Sequence, residues 1–155
     1  MKGSGYISRQ CCGSTEIELG TVYAAEMGIT LLSDIDRYTL EDAQVTLVFH
    51  LVLADGSVED VPMGVFEVSE ANRLAKCLEL KAYDFMLRFD KSFNGFETVG
   101  TAYDFIALCC KRCKVEFANK RAEIDAMPNG GVTLSVYTEN DIETCRDVLF
   151  YVAQV

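Results

Sequence analysis

The stretch AQVTLVFHLVLADGSVEDV, residues 43–61, limits the possible fold more than any other part of the chain. Val45, Leu47, Phe49, Leu51 and Leu53 recur at every second position, so they share one face of an extended strand. Asp55-Gly56 supplies a turn, and Val58 to Val61 returns as the antiparallel partner. The opposite face of the first strand keeps Val48 and Val52 beside His50, which makes it a candidate interface. Pro62 has no amide proton to give a neighbouring strand. It therefore places the return at a sheet edge, or starts a new strand at Met63 to Val68.

The same alternation continues on both sides. In GTVYAAEMGITLL, residues 20–32, the positions Tyr23, Ala25, Met27, Ile29 and Leu31 form the more apolar face of a strand, preceded by Ile17 and Leu19. Ala71-Asn72 reads as a second reversal, after which Leu74 to Tyr83 pairs back. Roughly five strands result, enough to curl into a small barrel or a sandwich. At Tyr83 the period changes. Leu78, Leu80 and Ala82 alternate with Glu79 and Lys81, whereas Phe85, Met86 and Phe89 are spaced as on one or two helical turns, interleaved with Asp84, Arg88, Asp90 and Lys91. The expectation is that the three apolar residues plug one end of the sheet core while the four charged ones face neighbouring segments or subunits.

Residues 98–155 follow a helical period. Thr101 and Asp104 have capping-box spacing, and Ala102, Ile106, Cys109 and Cys113 then line one face of a helix ending near Lys114. Val115 to Phe117 reads as a short strand, MPNGG as a loop and VTLSVY as another strand. Thr138 and Asp141 repeat the capping pattern before Ile142, Cys145, Val148, Leu149 and Val152, a second amphipathic helix. The expected fold class is α+β: a flexible segment over 1–15, an antiparallel β-barrel-like domain over 16–97, and an α/β extension over 98–155. The last helix reaches Val155 with no stop signal, so the extension is expected to be truncated at its C-terminus.

Composition removes several function classes. Fourteen basic against 24 acidic residues give a net charge of −10, which repels phosphate backbones and argues against direct nucleic-acid binding. The longest apolar run, Val45 to Ala54, is interrupted by Thr46 and His50 and falls short of the about 20 residues of a membrane helix, so no membrane insertion is expected. No apolar core follows the charged start of the chain, as a secretory signal would require, which leaves the cytoplasm as the place of synthesis and folding.

His50 is the sole histidine, and the carboxylate pairs Asp34/Asp36 and Glu139/Asp141 lie in turn and capping contexts. Neither a glycine-rich phosphate loop nor a nucleophile elbow occurs, so neither an enzyme nor a cofactor is expected. The seven cysteines do not form a disulfide framework. Cys110 and Cys113 have the C-x-x-C spacing of zinc and redox motifs, which makes a cytosolic thiol or zinc-binding module the alternative function. Their place late in a helix, at core-facing spacing, instead favours small buried thiols.

ELGTVYAAEMGITL, VPMGVFEV, LELKAYDFMLRFDKSF and YTENDIETCRDVLFYVAQV occur in an order that resembles the N-terminal region of phage and prophage tail hub proteins, the baseplate hub or tail-associated family. The resemblance spans Ile17 to Val155. It implies a virion structural protein, assembled in the bacterial cytoplasm, that forms a homo-oligomeric ring at the end of the tail tube, commonly a trimer. Other tail proteins, such as the tail tube or distal tail protein, would be its partners. It also implies that this chain is a fragment of a longer hub, and that an acidic ring lets DNA pass without adhering. An adaptor of a related contractile injection system would share these features.

Overall fold

The computed structural model describes residues 3–9, 20, 22–94, 98–137 and 141–155. The chain divides into two units, Met1–Cys11 with Tyr23–Phe85 and Cys12–Val22 with Met86–Val155. The first holds strands β1 (Gly3–Arg9), β2 (Ala25–Leu32), β3 (Gln44–Val52), β4 (Val58–Leu74) and β5 (Cys77–Tyr83). The second holds β6 (Val99–Gly100), α1 (Ala102–Cys113), α2 (Arg121–Asp125), β7 (Leu134–Ser135) and α3 (Cys145–Ala153). The fold class is α+β, with an antiparallel sheet followed by a helical part, as the two periodicities require. The unit boundary lies at Phe85/Met86, inside a 3-10 turn over Phe85–Asp90, and not at residue 97.

In the first unit the strand order is β1-β2-β5-β4-β3, all antiparallel. β3, β4 and β5 are joined by hairpins, while β2 lies beside β5. That is the Greek-key order, not a plain meander. The long β2–β3 connection is held by Arg73 on β4, which donates Nη1 to Ser33 O at 2.8 Å and Nη2 to Ile35 O. The connection carries a 3-10 turn, Arg37–Leu40, capped by the Asp36 carboxylate on Tyr38 N at 3.1 Å. The sheet is open, not a closed barrel: β1 and β3 are its two edges.

Residues 3–9, expected to be flexible, pair as β1 along β2, with Gly5 opposite Ile29. Pairing of this kind runs through the backbone. A Gly- and Ser-rich start carries no side-chain alternation to announce it. The second reversal lies at Ala75-Lys76, where Ala75 takes φ 54°, and not at Ala71-Asn72, which pair within β4 with Leu80 and Glu79. An alanine in left-handed conformation is not a turn signal that sequence offers.

The alternation places the sheet core correctly. Leu78, Leu80 and Ala82 are buried on β5, opposite Leu31, Ile29 and Met27 of β2, and Phe66 and Val68 of β4 complete the cluster. In the second unit Phe89, Phe93, Phe105, Cys109, Cys113, Val136, Cys145 and Val148 form the core, with Met86 packed against it. Met86 and Phe89 therefore belong to the helical core and do not plug the sheet, and Phe85 is half-buried.

α1 begins as read. Asp104 Oδ2 accepts the Thr101 N–H at 2.8 Å and its hydroxyl at 3.1 Å. The helix ends at Lys114, whose φ of 56° turns the chain so that Val115 N–H reaches Cys110 O at 2.9 Å. Val115 to Phe117 is not a strand. Val115 and Phe117 pack against the helical core from an irregular segment. α3 starts at Cys145, capped by Thr144 with Asp147, because TCRD repeats the T-x-x-D spacing of TEND and is the copy in use. Thr138 and Glu139 lie outside the described residues, as do Ile17, Leu19 and Cys11-Cys12.

Candidate functional site

The β3–β4 hairpin outruns the sheet that supports it. β5 pairs with β4 only from Glu67 to Leu74, so residues 58–65 of β4 have β3 as their sole paired strand among the described residues. All residues from Val48 to Asp60 are exposed. At ~3.4 Å per residue the exposed part of β3, Val48 to Val52 with Leu53 beyond it, extends about 17 Å as a two-stranded arm. The arm starts at a bulge, where the register passes from Leu47 opposite Gly64 to Val48 opposite Pro62. Gly64 permits this with φ 129°, a conformation closed to other residues, and a Cβ there would lie 3.3 Å from the Phe66 ring. At the tip, Asp55 accepts Ser57 N at 2.9 Å and Ser57 Oγ at 2.6 Å, which lowers the Asp55 pKa and fixes the turn around Gly56.

Cross-strand register sorts the arm into two faces. Val48, Val52, Val58 and Pro62 surround a His50–Asp60 hydrogen-bonded pair on one, and Phe49, Leu51 and Val61 with Glu59 form the other. Val48, His50 and Val52, read from the sequence as an outward face, are indeed exposed there. Phe49, Leu51 and Leu53, on the apolar face they share with Val45 and Leu47, are exposed as well. Of that face only Val45 and Leu47 pack on the sheet core. Beyond them the same apolar stripe runs on with nothing beneath it among the described residues, because β5 is too short to reach. No local signal in β3 separates Leu47 from Phe49.

The charged residues after Tyr83 have partners within their own unit. Arg146 on α3, four-fifths buried, donates Nε to Asp90 at 2.5 Å, Nη1 to Val22 O at 2.7 Å and Nη2 to Met86 O at 2.9 Å. Arg88 donates to Lys114 O at 2.9 Å and Lys91 to Arg112 O at 3.2 Å, so both cations serve carbonyls at the C-terminal end of α1. Asp84, in the first unit, donates its backbone N–H to Ala25 O at 3.0 Å. Arg88, Asp90 and Lys91 thus hold neighbouring segments of the second unit together.

The four cysteines of α1 and α3 lie buried in that unit's core. Burial, and then the neighbouring Cys145, push the Cys110 thiol up. Burial and hydrogen bonding to Cys145 push Cys113 to about 11 and Cys109 higher still. A redox-active thiol needs the opposite shift. Among the described residues no group of three or more His, Cys, Asp or Glu side chains is arranged to hold a metal ion. No helix in them is long and apolar enough to cross a membrane.

Near α1 a cleft of about 350 Å³ is lined by Phe93, Asn94, Leu108, Lys111 and Arg112, with an apolar floor and a basic rim. Sequence reading missed it, because Phe93 and Leu108 meet only through folding. No protein-family model matches the chain, and no curated protein matches it.

Proposed function

We propose that this protein is a structural component of a phage or prophage tail, a hub subunit that associates with copies of itself in a ring at the end of the tail tube. The observation that carries this reading is the β3–β4 arm. A hairpin with apolar side chains on both faces has no stabilising burial of its own, and isolated two-stranded ribbons are marginal in water. Exposed apolar area of this kind marks a protein–protein contact. The order of sequence elements, which resembles that of tail hub proteins, supports this identity for the assembly, and the acidic composition suits a ring through which DNA passes.

Light scattering across a concentration series, followed by negative-stain microscopy, is the test. Association with rising concentration, ring-shaped particles and weaker association in Val48→Lys are expected. A strict monomer at high micromolar concentration, unchanged by that substitution, overturns the reading.

A further inference from the structure

The arm and the α1 cleft have complementary chemistry. Residues 48–63 contain Asp55, Glu59 and Asp60 and no Lys or Arg. On the arm, Phe49 is 55% exposed and shares its face with Leu51, Val61 and Glu59. The cleft offers the counterpart, with Phe93 and Leu108 as its floor, Lys111 exposed on its rim beside Arg112, and Lys114 exposed two residues beyond. Its volume exceeds the ~150 Å³ that encloses a benzene ring, so an aromatic side chain fits.

We infer that the arm of one copy docks head-to-tail on a second copy, Phe49 entering the Phe93/Leu108 cleft while Glu59 meets Lys111. The contact joins two different surfaces, so it is heterologous. Such contacts close into rings or extend into open filaments, whereas a twofold contact would end at a dimer. The apolar insertion supplies the affinity. The acid–base pairs fix orientation and offset, locally, the repulsion between two chains of net charge −10. The inference rests on the self-assembly reading above and adds to it the two surfaces that meet.

Complementation tests it. Phe49→Ser spoils the arm and Lys111→Glu spoils the cleft, and both positions are exposed, so each variant should keep the circular dichroism and melting temperature of the parent. Each is expected to weaken self-association by about thirtyfold, the loss typical of a hot-spot residue. Mixed in equal amounts, the two retain one intact arm and one intact cleft between them. Sedimentation velocity should then show a one-to-one heterodimer that grows no further, and Glu59→Lys should restore association to Lys111→Glu. Normal association of both single variants would overturn this interface and leave self-assembly standing on another surface. Monomeric variants that stay monomeric when mixed would overturn the contact between copies, and a monomeric parent would overturn both readings.

Discussion

Arg146 joins three parts of the helical unit through one guanidinium: the carbonyls of Val22 and Met86 and the carboxylate of Asp90. The two carbonyl contacts are part-buried, while Asp90 is 54% exposed on its side chain. Losing the cation strands two carbonyl oxygens in poor solvent, whereas losing the carboxylate leaves an arginine that still makes two bonds. Arg146→Ala should therefore cost about 2 to 4 kcal/mol, and Asp90→Ala less than about 1 kcal/mol. Chemical denaturation of the two variants measures the difference, and equal costs would show that the ion pair outweighs the carbonyl bonds. Arg146 carries no mark in the sequence. It sits beside Cys145 in a run whose pattern speaks only of a helix start, and its partners lie 56 to 124 residues away.

At the scale of the element, α1 shows how much one capping residue carries. The Asp104 pKa is drawn down to about 2, first by its hydrogen bond from Arg121 and then by the Thr101 N–H. The folded value lies below the ordinary 3.8, so the carboxylate stabilises the fold above about pH 4, and that contribution is lost as pH falls through about 2. Asp104→Asn should lower stability at neutral pH by about 0.5 to 2 kcal/mol, the range for loss of a cap, and flatten the acid limb between pH 4 and 2. Thermal melts across that range read both effects, and an unchanged acid limb would remove Asp104 from the titration. The cap was legible because T-x-x-D spacing is local. Its link to Arg121, 17 residues away on α2, was not.

For the whole molecule, the sheet and its arm should differ sharply in local stability. β5 is flanked by β2 and β4 and carries Leu78 and Ala82 at zero exposure, so its amides open only with the unit. Among the described residues the arm has one neighbouring strand at each position and no core beneath. Hydrogen exchange in dilute solution should find the β5 amides the slowest in the first unit and Val48 to Val52 among the fastest. At concentrations where the protein associates, the arm amides should slow and β5 should not change. Equal protection of both in dilute solution would mean that the arm is already covered within a single chain.

Local spacing determined the strand faces of β2 and β5, the Asp55-Gly56 turn, the change of period at Tyr83, and α1 with its Thr101 cap and Lys114 end. Each depends on residues within about one turn or one strand of one another. Tertiary structure decided what spacing leaves open. It selected TCRD over TEND as the start of α3, where Thr144 bridges Ser92 and Glu143 O accepts the Phe93 N–H at 2.8 Å. It set β2 beside β5, and it assigned Met86 and Phe89 to the helical core instead of the sheet. It also decided that Val45 and Leu47 are covered while Phe49 and Leu51, next on the same stripe, are not. An alternating sequence states which side chains share a face, and only the length of the neighbouring strand states how far that face is buried.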